Sequence, residues 1–308
     1  MTPKEYTFDA AYQPQVRAKR GTQNIMLDVI IALMPALIAG IVFFGPRVLA
    51  TVAVSVGCCV LFDYLVRKMM RRENTIGDLS AVVTGLLLAL NLPVSLPLWM
   101  VAIGAFVAIV LVKQMFGGIG QNFANPAIAA RVVLVVSFTQ QMTTWTAPNF
   151  SSNIDALAGS TPLVNLDHYT VAELFFGNIG GCIGETCALA LLLGGAYLLT
   201  RRVISFTIPL GFIGTVFIFS FLLGQDPVKQ ILAGGLLLGA FFMATDYTTS
   251  PLTTIGKLVF AVGCGMMTVL IRTFGNYPEG VSFAILIMNM LVPFMDRGFR
   301  LKAFGRRN

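Results

Sequence analysis

Long apolar runs, separated by short polar or basic segments, dominate the chain from Ile25 onward. A membrane-spanning helix needs about 20 mostly apolar residues. Runs of this kind predict spans at residues 25–44, 48–67, 78–92, 97–115, 127–141, 178–199, 203–223, 229–245, 257–274 and 280–296. These runs lack the alternation of a membrane β-strand, and a helix satisfies its own backbone polar groups in lipid. We therefore predict about ten transmembrane helices.

The composition agrees with a membrane protein. Of the 308 residues, 56% are hydrophobic and 11% are charged, whereas soluble domains carry about 25% charged residues. So little charge cannot cover a water-facing surface. The sequence therefore predicts an all-α, polytopic integral membrane protein with a single membrane domain over residues 1–308, and it argues against a soluble enzyme.

The basic residues orient the predicted spans. Most of the 21 lysines and arginines fall on one side of a ten-span arrangement, and such residues concentrate in cytoplasmic segments. We expect a protein of the cytoplasmic membrane with both termini in the cytoplasm. Its predicted parts are a cytoplasmic segment (1–24), a first five-span unit (25–141), an outer loop (142–177), a second unit (178–296) and a cytoplasmic tail (297–308). The cations lie between apolar runs, which indicates a lipid environment and no nucleic-acid partner.

The two predicted units contain similar segments. Residues 84–89 (TGLLLA) resemble residues 234–239 (GGLLLG), and glycine-rich loops at 117–127 and 275–284 precede the fifth and tenth spans. Because each unit has an odd number of spans, a repeat would be inverted in the membrane, as in many transport folds. The alternative is a chance match between leucine- and glycine-rich helices.

Acidic residues at membrane depth are costly and mark candidate ion sites. Glu185 lies inside the sixth predicted span with no Lys or Arg on neighbouring turns. We predict that it serves an ion pathway as a cation or proton site, with Asp246 and Glu279 as further members. The alternative is a structural, hydrogen-bonded acid. Three other acids near inner span ends are interpreted as solvated caps: Asp28, Asp63 and Asp78.

Three loops interrupt the apolar pattern, at residues 117–126, 245–251 and 276–280. Irregular backbone at membrane depth persists where it is buried in protein or lines a cavity. The side chains of Asn122, Asn125, Asp246 and Thr248 are suited to binding the polar edge of a ring or an ion, unless these are ordinary connecting loops. No cysteine pair or Cys/His set has metal-ligand spacing, so we predict no metal site.

Several motifs in the same order resemble one known family. They are IMLD at 25–28, GQNFANPA at 120–127, GETCALALLLGG at 184–195, ATDYTTSP at 244–251 and YPEGVSFAILIMNMLVPFMD at 277–296. The chain resembles the D subunit of Rnf ion-translocating ferredoxin:NAD oxidoreductases, which is related to the B subunit of sodium-translocating NADH:quinone reductases. The resemblance implies one component of a multisubunit translocase, and not an enzyme alone. It also implies partner Rnf subunits and electron flow coupled to Na⁺ or H⁺ transport.

The resemblance also implies flavin sites. In this family FMN is esterified through its phosphate to the threonine of a Ser-Gly-Ala-Thr-type sequence, which corresponds here to Thr161 with Gly159 and Ser160 as neighbours. Ala158 and Ser160 depart from that pattern, and Ser160 offers an alternative hydroxyl. A flavin transferase makes the bond. Relatives also bind a second, noncovalent riboflavin near the asparagines that match Asn122 and Asn125.

The phosphate of a covalent FMN would need a compensating charge, and the outer loop has no cation. We predict that at least one of the three outer cations, Arg47, Lys229 and Arg272, lies near it. Without the motifs, the favoured function would be a cofactor-free secondary transporter or channel, and a structural scaffold is a third possibility. These alternatives remain open at the level of the residues.

Overall fold

The computed structural model describes residues 21–72, 76–146, 148, 163, 166–177, 179–275 and 279–299. Within these ranges the chain is helical and contains no β-strand, which confirms the predicted all-α class of membrane protein. The predicted flavin-attachment residues Gly159, Ser160 and Thr161 lie outside the described residues. So do most of the predicted cytoplasmic segment 1–24 and of the tail 297–308.

The helices vary greatly in length. In chain order they are α1 (Thr22–Phe44), α2 (Arg47–Met69), α3 (Ser80–Leu90), α4 (Leu98–Phe106), α5 (Pro126–Ser137), α6 (Thr139–Met142), α7 (Val171–Phe176), α8 (Ala188–Thr200), α9 (Thr207–Leu222), α10 (Pro227–Leu232), α11 (Leu236–Leu238), α12 (Thr254–Phe274) and α13 (Val281–Gly298). Helix α4 continues as a π-helix over Val107–Gln114, and α11 continues as a π-helix over Gly239–Met243.

Four of the described helices, α1, α2, α12 and α13, are long and apolar enough to cross a membrane. Helices α3, α5, α8 and α9, and α4 with its π extension, are apolar but shorter. The structure thus agrees with several membrane-crossing segments, while the number of ten stays a prediction. The matched segments differ in structure, since 84–89 lies within α3 whereas 234–239 includes two residues before α11 and the first residue of the π-helix. The inverted repeat also stays a prediction.

The fifth predicted span is interrupted at Phe138, between α5 and α6. Two further predicted spans are wrong as continuous helices. The sixth begins only at Ala188, so Glu185 lies in irregular backbone before α8 and not within a helix. The eighth is divided into α10, α11 and a π-helix, with Ala233 to Gly235 between the first two. Both breaks coincide with glycines, among them Gly184 and Gly234, and glycine in a helix interior costs roughly 1 kcal/mol relative to alanine.

Capping residues fix where α5 and α10 begin. The Asn125 side chain accepts hydrogen bonds from the backbone N–H of Ala127 and Ile128. Asp226 does the same for the two residues after Pro227. In both cases a proline follows the cap, and its missing N–H costs nothing at this position. The loop that ends at Asn125 is therefore fixed against the start of α5.

Small residues bring the helices into close contact. A Cβ at Gly85 on α3 would lie 2.7 Å from the Val56 Cα on α2, and one at Gly265 on α12 would lie 2.6 Å from the Thr215 Cβ on α9. Such contacts are typical of helix pairs in membranes, where close packing replaces the hydrophobic effect. They hold the interrupted elements against the long helices.

An ion pair identifies which ends of α1 and α8 coincide. Arg201 at the end of α8 lies 3.3 Å from the Asp28 carboxylate in the second turn of α1. We call this end of the bundle the inner end and the opposite one the outer end, after the predicted orientation.

Candidate functional site

A groove of about 810 Å³, including its part open to solvent, lies at the inner end. We call it the inner groove. Its walls come from the starts of α1 and α3, the loop before α5, the end of α8 with the loop that follows, and the segment around the second π-helix. The lining is Ile25, Met26, Val29, Ser80, Val83, Thr84, Leu87, Lys113, Ile119, Asn122, Asn125, Pro126, Leu198, Val203, Ile204, Phe241, Phe242, Thr245, Asp246, Tyr247 and Thr248.

Four residues predicted to bind a cofactor, Asn122, Asn125, Asp246 and Thr248, all line this groove. The structure thus brings together two loops that are far apart in the sequence. The amide of Asn125 is occupied, because it caps α5 and donates to the Met243 carbonyl at 3.3 Å. The buried Oδ1 of Asn122 has no hydrogen-bond partner among the described residues. Asn122 is therefore available to bind a ligand, while Asn125 shapes the groove.

Asp246 closes a local turn at the end of the second π-helix. Its carboxylate accepts hydrogen bonds from Thr248 Oγ1 at 2.9 Å and from Thr249 Oγ1 at 3.3 Å. Burial raises the pKa of Asp246, and the hydrogen bonds from the two threonines oppose that rise. The carboxylate thus fixes the position of Thr248 at the groove wall.

A buried polar cluster adjoins the groove beneath Ser80. Lys113, which is 1% exposed, donates to Ser80 Oγ at 2.7 Å and lies 3.3 Å from the Asp63 carboxylate. Asp63 also receives a hydrogen bond from Gln114 and pairs with Arg67 at 3.4 Å. The cluster therefore places a fixed ammonium group at the groove wall. Sequence reasoning missed it, because the position of Lys113 in the chain indicates only an ordinary inner cation.

The interpretation of the inner acids as solvated caps is wrong for two of the three. Asp63 is fully buried, and Asp28 is 4% exposed and accepts a hydrogen bond from the Tyr197 hydroxyl. Asp63 pairs with Lys113 and Arg67, and Asp28 pairs with Arg201. Lys113 and Arg201 are distant in the sequence, so the sequence pattern does not reveal these two pairs. Asp78 does act as a cap, since it accepts from the Ser80 N–H at 2.8 Å.

A second charged group, which we call the outer cluster, surrounds Arg131 on α5. The guanidinium donates through Nη1 to Glu185 Oε1 at 2.8 Å and to Asn91 Oδ1 at 2.7 Å. Through Nη2 it donates to the Glu279 carboxylate and to Cys182 Sγ at 3.3 Å. A buried charge is tolerated when it is paired and hydrogen-bonded, and Arg131 has both kinds of partner.

The outer cluster changes how two predicted ion-pathway residues are understood. Glu185 lacks a cation on neighbouring turns of the sequence, yet it pairs with Arg131 from another helix. Glu279 binds the same guanidinium. The third predicted member, Asp246, lies at the inner groove and not with the other two. A role of the three in ion movement stays a prediction.

One methionine links the two regions. Asn91, which accepts from Arg131 in the outer cluster, donates to Met243 Sδ at 3.4 Å. The carbonyl of the same Met243 accepts from Asn125 at the inner groove. A continuous set of side chains therefore joins the groove to the outer cluster through the end of the second π-helix.

Two of the three outer cations lie beside the described residues that follow Thr161. Lys229 Nζ donates to the Leu166 carbonyl at 3.2 Å. A Cβ at Gly234 would lie 2.7 Å from Leu163 Cδ1 and 3.3 Å from Arg272 Nη2. Arg47 instead donates to the Val94 carbonyl at 2.9 Å, beyond the end of α3. Lys229 and Arg272 are therefore the better candidates for a phosphate partner.

Apolar helices, interrupted spans, a groove at the inner end and a buried ionic cluster within the bundle define a class of polytopic membrane protein with polar sites inside the bundle. Comparison with known protein sequences identifies the family of this chain. The family model of the NQR2, RnfD, RnfE family matches residues 10–305, and the chain belongs to this family. The resemblance indicated by the motifs is thereby confirmed.

Relatives of known name match nearly the whole chain. It is 44% identical to the D subunit of the Na(+)-translocating ferredoxin:NAD(+) oxidoreductase complex of Acetobacterium woodii, over 98% of this chain and 96% of that protein. It is 40% identical to the D subunit of the proton-translocating ferredoxin:NAD(+) oxidoreductase complex of Clostridium ljungdahlii, over 99% of this chain and 98% of that protein. It is also 40% identical to the D subunit of the ion-translocating oxidoreductase complex of Stutzerimonas stutzeri, over 94% and 93% of the two chains.

Proposed function

We propose that this chain is the flavin-carrying D subunit of an Rnf-type complex, in which it carries electrons and couples their flow to Na⁺ or H⁺ transport. The observation that supports it best is the inner groove, where Asn122, Asp246 and Thr248 converge from distant loops. The names of the relatives support membership of a ferredoxin:NAD oxidoreductase complex. In this proposal the other Rnf subunits are its partners, and a flavin transferase matures it.

The groove fits a flavin in its chemistry. Small-molecule sites are mainly apolar with a few placed polar groups. Here Leu87, Phe241 and Phe242 offer apolar surface, and the unpaired Asn122 Oδ1 offers an acceptor for a ring N–H. A bound flavin supplies the transfer of one or two electrons, and the protein supplies its position and electrostatic surroundings.

Lys113 contributes a positive charge at this site, and Asp246 lines the same groove. Its ammonium group is held by Ser80 and Asp63 and lines the groove. A positive charge at a buried site favours any ligand that gains negative charge, because the dielectric constant there is lower than in water. Lys113 would therefore favour the reduced over the oxidised form of a flavin in the groove.

We further propose that FMN is attached at Thr161 in the loop on the outer side, with Gly159 and Ser160 beside it. The supporting observation is that Lys229 and Arg272 lie next to Leu166 and Leu163, the first described residues after the attachment position. Both cations would attract the anionic phosphate diester of an FMN attached at Thr161. Arg272 donates three hydrogen bonds to Gln230 and Ala233, which fixes its position.

Fluorescence of the denatured chain tests the proposal against a cofactor-free transporter. The complex is purified from cells with an active flavin transferase and run on a denaturing gel under ultraviolet light. A fluorescent band in the wild type, lost in Thr161→Ala and kept in Ser160→Ala, is expected. A dark wild-type band would favour the transporter, and persistence of fluorescence in Thr161→Ala would move the attachment to another hydroxyl.

The coupled ion needs a separate test, because the first two relatives named above differ in it. Transport is measured in sealed vesicles that contain the purified complex, with ferredoxin-driven NAD⁺ reduction as the energy source. Uptake of ²²Na⁺ that persists with a protonophore indicates Na⁺. Acidification without any Na⁺ requirement indicates H⁺.

A further inference from the structure

A small cavity of about 210 Å³, including its part open to solvent, lies beside the outer cluster and is distinct from the inner groove. We call it the outer cavity. It is lined by Ile179, Gly180, Gly181, Glu185, Thr186, Gly234 and Glu279. The irregular backbone before α8 forms one wall, and the break between α10 and α11 forms another. The breaks in the sixth and eighth predicted spans thus meet at one cavity.

Two buried oxygens in the cavity wall lack partners. Glu185 and Thr186 are 2% and 1% exposed, and Glu185 Oε2 and Thr186 Oγ1 have no hydrogen-bond partner among the described residues. Leaving a buried polar atom unsatisfied costs about 1–3 kcal/mol. Both atoms belong to residues that line the same small space, so an occupant that interacts with oxygen would remove both penalties together.

The carboxylates make a cation the suitable occupant. Ligand atoms of Glu185, Glu279 and Cys182 all lie within 4.8 Å of one another. Two carboxylates this close repel each other, and each is stable as an anion only beside positive charge. Arg131 supplies one such charge to both. Carboxylate and hydroxyl oxygens, such as those of Glu185, Glu279 and Thr186, are ligands that hard cations prefer.

The charges around the cavity determine which cation fits. Arg131 pairs with both Glu185 and Glu279. Arg272 lies across Gly234 from the cavity and is bound to the carbonyls of Gln230 and Ala233. A divalent ion would bring two further positive charges beside the Arg131 guanidinium in a low-dielectric region. A monovalent ion adds only one.

We propose that the outer cavity binds a sodium ion through Glu185 Oε2, Thr186 Oγ1 and the Glu279 carboxylate. The site adds an ion-binding position to the proposed function, and its dependence on reduction rests on that function. Leu163 lies against Gly234, so the cavity adjoins the chain that follows the proposed FMN position. Negative charge placed there by reduction balances the extra positive charge of the ion, and Na⁺ affinity is therefore higher in the reduced complex.

Sodium binding to the whole purified complex tests the site. Retention of ²²Na⁺ is measured with the complex oxidised and after reduction by dithionite. Thr186→Val removes the unpartnered hydroxyl at nearly constant volume and is expected to weaken Na⁺ binding about tenfold, or about 1.4 kcal/mol. The matched control is Thr215→Val, a buried threonine whose hydroxyl bonds to the Gly211 carbonyl within α9, and it should leave binding unchanged.

Two further measurements distinguish loss of the Na⁺ site from loss of protein stability and from failure of the proposed flavin function. Thr186→Ser retains the hydroxyl and should bind Na⁺ like the wild type. Weak binding by Thr186→Val together with normal binding by Thr186→Ser therefore supports the site. This holds even if the valine variant is less stable. Equal Na⁺ affinity in wild type and Thr186→Val, or no retained Na⁺ in the wild type, would overturn it in favour of bound water or a proton. In-gel flavin fluorescence of the same samples reports on the proposed function independently.

Discussion

Arg131 on α5 and Glu185 before α8 form a fully buried ion pair, with 2.8 Å between Nη1 and Oε1. The arginine also binds Glu279, so one guanidinium holds the irregular backbone before α8 and the start of α13. This pair joins elements from the two predicted five-span units. Its removal should therefore affect the assembly of the bundle as well as any ion movement.

Arg131→Gln should destabilise the protein strongly. It leaves two buried carboxylates without their shared cation, and breaking a buried pair in this way costs roughly 3–5 kcal/mol. The thermal unfolding midpoint of the solubilised complex measures the loss. Lys68→Gln is the control, because Lys68 is exposed on α2 and an exposed charge contributes at most about 1 kcal/mol. Similar shifts in both variants would contradict a special role for Arg131.

Asn122→Leu should reduce noncovalent flavin without affecting covalent flavin. It replaces the only described amide of the inner groove whose buried oxygen is unpaired, and a lost hydrogen bond weakens binding by about tenfold. Flavin released by acid precipitation, compared with flavin retained on the denatured chain, measures the two pools. Asn24→Leu, at an exposed position on α1, should change neither pool. Equal release from both variants would place the second flavin elsewhere.

Lys113→Met should make a flavin in the groove harder to reduce. The substitution removes a buried ammonium group at the groove wall, and a tenfold loss of preference for the reduced form corresponds to about 60 mV for one electron. Potentiometric titration followed by flavin absorbance measures the shift. Lys68→Met removes an exposed cation from α2 and should leave the potential unchanged. A higher potential in Lys113→Met would refute this role.

Gly85→Ala should weaken the contact between α2 and α3. The added methyl group meets the Val56 backbone at 2.7 Å, and overpacking of this kind costs about 1–3 kcal/mol. The midpoint of thermal unfolding measures the effect. Gly57→Ala on α2 is the matched control, since its Cβ would have no neighbour within 4 Å among the described residues, and it should not destabilise the protein.

The start of α7 should depend on pH through Glu173. Hydrogen bonds from the backbone N–H and the hydroxyl of Thr170 lower the pKa of Glu173. A group whose pKa is depressed on folding stabilises the structure above its unfolded pKa, about 4.3, and loses that contribution as pH falls through the folded value. After correction for the intrinsic exchange rate at each pH, lower amide protection in α7 is expected at pH 3 than at pH 6, and Glu173→Gln should reduce the difference.

Sequence reasoning succeeded where a residue's role depends on local pattern. Apolar runs predicted the helical class, and Asn122 and Thr248 were selected because glycine, asparagine and threonine interrupt such runs. It failed where partners come from distant segments. Glu185 was expected to lack a cation, and Asp63 was expected to be solvated, because Arg131 and Lys113 approach them only in the folded bundle. The breaks before α8 and α11 were also missed, since glycine within an apolar run is compatible with a continuous helix.

The position of Arg131 has a consequence for how the protein is made. An arginine at the centre of an isolated helix costs about 2.5–3.5 kcal/mol to insert into the membrane. The carboxylates that compensate it follow 54 and 148 residues later in the chain. During translation α5 therefore leaves the ribosome before either carboxylate has been made. We expect Arg131 to reach its final pairing only after the start of α13 has entered the membrane.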